Sequence, residues 1–176
     1  MRRTSLCVLL LLLMACTPSE QREPAKPTTP AAMTVEQTES ARQALVEWFE
    51  CEECEEGQLE AVVKLGERVV PSLRAALLEG AAPATEELVR RDLLARYDEL
   101  QQYSRNHPEA KVASSKEEFV AMYVGNLHAQ YRTRAAQALS RIGGPAAVRA
   151  LEEGLGRADR PDVRASVEAA LKTAKR

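Results

Sequence analysis

The chain is predicted to be all-α, a short stack of helical hairpins with a helical insertion, and three observations point there. Across residues 34–176, apolar side chains return at alternating steps of three and four. Capping and stop signals cut that pattern into helices of hairpin length. No stretch shows sustained apolar/polar alternation bounded by hairpin turn chemistry, so strands are not expected.

The first thirty-three residues stand apart from that pattern. Arg2 and Arg3 precede an uncharged run from Leu6 to Ala15, which is too short to span a bilayer and closes on a small residue. Residues 1–15 therefore read as an export signal. Leu13-Met14-Ala15-Cys16 resembles the lipobox of bacterial lipoproteins, with Met14 at a place where smaller or branched residues are commoner. That resemblance implies acylation of Cys16, and Thr17 behind it implies an outer-membrane address in a diderm envelope. Residues 16–33 are rich in Pro and Thr with no large apolar residue from Thr17 to Ala32, the composition of a disordered tether. The alternative is an ordinary secretory signal that ends at this cysteine.

The remaining residues, 34–176, suffice for one domain. Thr34 with Gln37 makes a capping-box start, followed by Ala41, Ala44, Leu45, Trp48 and Phe49 on one face. Further starts are expected near Gly57, Pro71 and Pro161. A helix from about Thr85 to Ser104 carries Val89, Leu93, Tyr97, Leu100 and Tyr103 on one side, and Asn106-His107-Pro108 turns the chain. Ser114 with Glu117, and Ser115 with Glu118, are overlapping caps for a long helix reaching Ile142, with Gly125 its weak point. Gly143-Gly144-Pro145 stops that helix and opens the next.

An internal repeat sharpens the architecture. Tyr131 to Gly143 followed by Pro145 to Leu151 resembles a HEAT repeat of the short bacterial type named for phycobilisome lyases. Thirty-two residues on, Val163 to Leu171 superposes on Tyr131 to Leu139, with Arg164 on Arg132. A weaker copy spans residues 57–79, with Gln58 where the arginine should be. The resemblance implies a short HEAT-like α-solenoid, and such proteins characteristically serve as binding scaffolds. The alternative is an alanine-rich pair in an ordinary bundle.

Between Leu65 and Leu139 the chain is about forty residues longer than one repeat needs, so an insertion is expected over about residues 80–125. Five of the seven aromatic residues fall near it: Tyr97, Tyr103, Phe119, Tyr123 and Tyr131. Tyr97, Phe119 and Tyr131 are expected to pack the insert against the repeats, whereas Tyr103 and Tyr123 are candidates for contacting a partner.

Cys51-Glu52-Glu53-Cys54 allows three readings. In an oxidising compartment it closes a turn by a disulfide. A redox pair would resemble thioredoxin-like proteins in spacing only, and the flanking carboxylates disfavour a thiolate. A metal site would need more ligands, and the two histidines, His107 and His128, offer no pairing motif; no metal or cofactor is expected.

The formal charge of -2 suggests no general affinity for nucleic acid. Its distribution is uneven, because residues 34–60 hold nine carboxylates against Arg42 alone and residues 129–176 hold ten basic residues against five acidic ones. Arg132, Arg149, Arg157 and Arg164 are therefore candidates for engaging an acidic partner, beside the plainer reading of a solvated solenoid face. No nucleophile with a base, phosphate loop or metal-binding spacing supports an enzyme. The expectation is a lipid-anchored binding scaffold for envelope proteins, with no catalytic residue and an open oligomeric state; the alternative is a thiol-redox or other envelope enzyme using Cys51 and Cys54.

Overall fold

A computed structural model describes residues 35–107 and 109–176. The export signal, Cys16, the tether and Thr34 lie outside the described residues. Those described form α1 (Val35–Glu50), α2 (Glu56–Leu65), a 3-10 turn (Gly66–Val69), α3 (Val70–Glu79), α4 (Pro83–Asn106), α5 (Lys116–Ile142), α6 (Gly144–Arg157) and α7 (Pro161–Ala174), with no strand among them.

Local chemistry sets these boundaries. Of the two overlapping caps it is Ser115 that starts α5: its hydroxyl accepts the Glu118 N–H at 3.1 Å, and the Glu118 carboxylate accepts the Ser115 N–H at 2.8 Å. The second of these bonds, from the Ser115 backbone, is the main cause holding the Glu118 carboxyl below its ordinary range. Gly143 leaves α5 at φ 66°, a conformation that disfavours any residue with a Cβ, and its N–H closes on Leu139 O. The start expected near Pro71 falls at Val70, with the 3-10 turn carrying α2 straight into α3; α4 begins two residues before the expected Thr85, at Pro83, whose fixed φ suits a first turn. Gln58, standing where the repeat pattern has arginine, accepts the Glu55 N–H at 2.9 Å and so caps α2.

The helices stack in two layers. In one, α5 lies between α2 and α7; in the other, α3 packs on α6; α3 also lies against α5, and α6 against α7. One continuous interior runs through both layers, with Val62, Leu73, Leu139, Leu151 and Val167 fully buried. Each such Val or Leu contributes about 1.5–3 kcal/mol by leaving water. Ala135, Ala136, Ala138 and Ala147 are equally buried, and their small side chains let neighbouring helices approach closely. At Gly154 the approach is close enough that a Cβ would stand 2.5 Å from Leu77 Cδ2.

The insertion departs from this stack and keeps its own small core. Leu93 and Tyr97 from α4 meet Phe119, Val120 and Val124 from the first turns of α5, flanked by Val89 and Val112. The second half of α5 belongs to the main interior, so one unbroken helix crosses both cores and Gly125 lies within it.

Candidate functional site

The insertion hairpin carries most of the large hydrophobic side chains exposed among the described residues. Of the large hydrophobic side chains exposed among the described residues, Leu88, Leu94, Leu100, Tyr103, Met122 and Tyr123 lie on α4 or α5, and Val46 alone lies elsewhere. Between the two helices runs a groove of about 640 Å³. Leu93, Leu100, Tyr103, Phe119 and Tyr123 supply its apolar walls, and Asp92, Arg96 and Glu99 form a charged edge along α4.

The groove follows from helix lengths. Tyr97 is pinned on the buried side, donating its hydroxyl to Ser114 O at 2.8 Å and tilted against the Phe119 ring at 5.4 Å. Beyond Tyr97, α4 continues for nine residues while α5 has not yet begun, so its last turns face a loop. Leu100, in phase with buried Tyr97, is consequently 40 % exposed, and Tyr103, a candidate for contacting a partner, is 52 % exposed. Tyr103 stacks on the His107 ring at 4.0 Å, which fixes it as one end of the groove. Tyr123, 43 % exposed, extends the aromatic wall from Phe119 at 4.7 Å. The structure thus brings Tyr103 and Tyr123 to one groove and buries Tyr97, Phe119 and Tyr131. The groove's charged edge was not anticipated, although the spacing of Asp92 and Arg96 marks the ion pair they form at 2.8 Å.

The arginine candidates separate by role. Arg132 is 20 % exposed and works inside the chain, donating to Leu78 O at 3.3 Å and to Asp159 Oδ1 at 3.0 Å. Its repeat equivalent, Arg164, donates to Ala158 O at 2.7 Å. The two C-terminal repeats therefore use this arginine to hold a carbonyl at the end of an earlier helix. Arg157 is exposed and lies 3.5 Å from Glu153, which Arg74 grips with two bonds of 2.7 Å. Arg149 is exposed on α6. Arg132, Arg157 and Arg164 thus each hold a different group within the chain.

Cys51 and Cys54 are joined by a disulfide in the turn between α1 and α2. The turn is anchored by Arg134, whose guanidinium donates to Phe49 O at 2.6 Å and Cys51 O at 2.7 Å. Burial pulls the Arg134 pKa down, opposed by the charge effect of Tyr131. His128 packs under the α3–α4 connection: its Nδ1 accepts the Ala81 N–H at 3.1 Å, which leaves Nε2 to carry the proton of the neutral ring and point it at Glu86 Oε2, 3.2 Å away. Among the described residues no three His, Cys, Asp or Glu side chains converge on a possible metal position. No helix among them is long and apolar enough to cross a membrane.

Residues 104–172 match the family model for HEAT repeats. The matched span runs from the end of α4 through α5 and α6 into α7, under half of the chain. Together with the two-layer stacking this makes the fold an all-α, HEAT-like solenoid. No curated protein and no solved structure matches the chain.

Proposed function

We propose that this is a lipid-anchored scaffold of the bacterial cell envelope, without catalytic activity, whose protein-binding surface is the α4–α5 hairpin. HEAT repeats commonly act as protein-interaction scaffolds, and the observation that carries the reading here is the aromatic groove. A two-helix hairpin with exposed leucines and tyrosines along one groove offers the aromatic residues that interface cores are enriched in, with the charged side chains confined to one edge. The basic face makes a poorer site, because Arg132, Arg157 and Arg164 are drawn into contacts within the chain.

The anchor rests on Cys16 and its signal, with a tether to hold the solenoid off the bilayer. A palmitate label that fails to enter the chain, or one that the Cys16→Ser variant still takes up, would remove it. For the hairpin, a photo-crosslinking residue at Tyr123 in native membranes is expected to trap protein, and one at Arg149 to trap little. Trapping at Arg149 alone would move the site to the solenoid. The second reading, a thiol-redox enzyme, is favoured only by Cys51 and Cys54; a bridge that cycles with a thiol substrate would support it, and an inert one would not.

A further inference from the structure

We infer that the hairpin groove is occupied by the same hairpin of a second copy, so that the protein forms a twofold dimer through a four-helix bundle. The inference rests on the hairpin being a protein-binding surface and names what it binds. Leu93, Tyr97, Phe119, Val120 and Val124 form a core closed by only two helices, and Leu100, Tyr103, Met122 and Tyr123 remain in water beside it. Two more helices would close that core, as in antiparallel bundles. The chain's own N-terminal segment is a poor occupant, because Thr17 to Ala32 contains no large apolar residue.

The charged edge points to a second copy in particular. Along α4 the order is Asp92, Arg96, Glu99, Tyr103, all bordering the groove. When two α4 helices cross antiparallel about a twofold axis, each residue meets the one equally far on the other side of the axis. Arg96 with Glu99, and Asp92 with Tyr103, share a single midpoint, between residues 97 and 98. One axis there sets Arg96 against the second copy's carboxylate at 99, and the Tyr103 hydroxyl against its carboxylate at 92, each twice. The pairing demands little rearrangement, since Asp92 and Arg96 are 61 % and 67 % exposed and, among the described residues, bonded to each other along the helix. Glu99, exposed and one turn on, is the acceptor placed to receive Arg96 from the other chain.

The test uses the full chain, expressed with its own export signal and extracted in mild detergent, with its mass read by native mass spectrometry at micromolar concentration. Twice the mass of the mature, acylated protomer is expected. Arg96→Glu and Glu99→Arg should each shift the protein to monomer, because each sets like charges together twice, and the double variant R96E/E99R should restore the dimer. Circular dichroism on each variant confirms that helix content is kept, as the exposed positions lead one to expect. A wild-type monomer, a dimer indifferent to either reversal, or a double variant that stays monomeric would overturn the inference. A monomer that still crosslinks a different protein through Tyr123 would do so while leaving the scaffold reading intact; a monomer that traps nothing there would remove both.

Discussion

Trp48 and Arg134 hold each other from two directions. The indole Nε1–H of Trp48 donates to Arg134 O at 3.1 Å, and the Arg134 guanidinium lies 5.9 Å from the centre of the Trp48 ring while bonding Phe49 O and Cys51 O. Helix α1 is thereby fixed to α5 through its C-terminal end, where carbonyls lack partners within the helix. The disulfide sets the turn that presents one of those carbonyls. Arg134→Ala is expected to destabilise by about 2–3 kcal/mol, the loss of two charge-assisted bonds to part-buried acceptors. Removing the disulfide with paired Cys→Ser changes should cost about 2 kcal/mol, given so short a loop. The two losses should fall short of additive, because both act on the same turn, and a double-mutant cycle by urea unfolding reads that shortfall.

Gly154 and Gly156 lie on one helix, yet alanine should act oppositely at the two. At 154 the new methyl would stand 2.5 Å from buried Leu77 Cδ2, and overpacking costs about 1–3 kcal/mol. At 156 nothing lies within 4 Å, so the better helix propensity of alanine is expected to stabilise by up to about 1 kcal/mol. Thermal melts of the two variants should move apart on either side of wild type.

Tyr131 gives the fold an alkaline limit. Burial first, then the Glu50 carboxylate 3.0 Å from its hydroxyl, pushes its pKa up from 10.0 to about 12. The folded protein thus holds this proton over a range in which the unfolded chain has released it. The stabilisation is complete below pH 10, declines as pH rises from 10, and is gone above about 12. Tyr131→Phe should flatten that decline in a stability-against-pH series, and an unchanged slope would assign it to other groups.

Arg132 and Arg149 should respond differently to replacement. Arg132→Ala leaves Leu78 O without this donor and Asp159 without its ion pair, and is expected to cost about 1–2 kcal/mol. Arg149→Glu, on an exposed helix face, should stay within about 0.5 kcal/mol. Equal losses in chemical denaturation would contradict the structural role given to the repeat arginine.

Gly80 and His128 form a contact that tolerates no side chain on the glycine. Its φ of 85° already disfavours other residues, and a Cβ there would sit 2.3 Å from His128 Nδ1. Gly80→Ala should therefore break the bond from Ala81 N–H to His128 as well as strain the turn, costing about 2 kcal/mol or more. Loss of amide protection at Ala81 in hydrogen exchange would report it.

Much of the solenoid was legible in the chain itself. The caps at Ser115 and Gly143, the prolines near helix starts, the three-and-four spacing of apolar residues and the thirty-two-residue echo all act over a turn or two of helix, and such local rules are written residue by residue. What could not be read there depends on which helix ends first. Leu100 sits in phase with Tyr97 and looks buried, but α5 begins too late to cover it, and its exposure beside Tyr103 makes the groove. Likewise Arg132 reads as a surface charge until packing brings Leu78 O and Asp159 to it. The sequence determined the helices and their repeat, because periodicity and capping are short-range; tertiary structure alone decided which apolar and charged groups stayed available, because that depends on what lies opposite them.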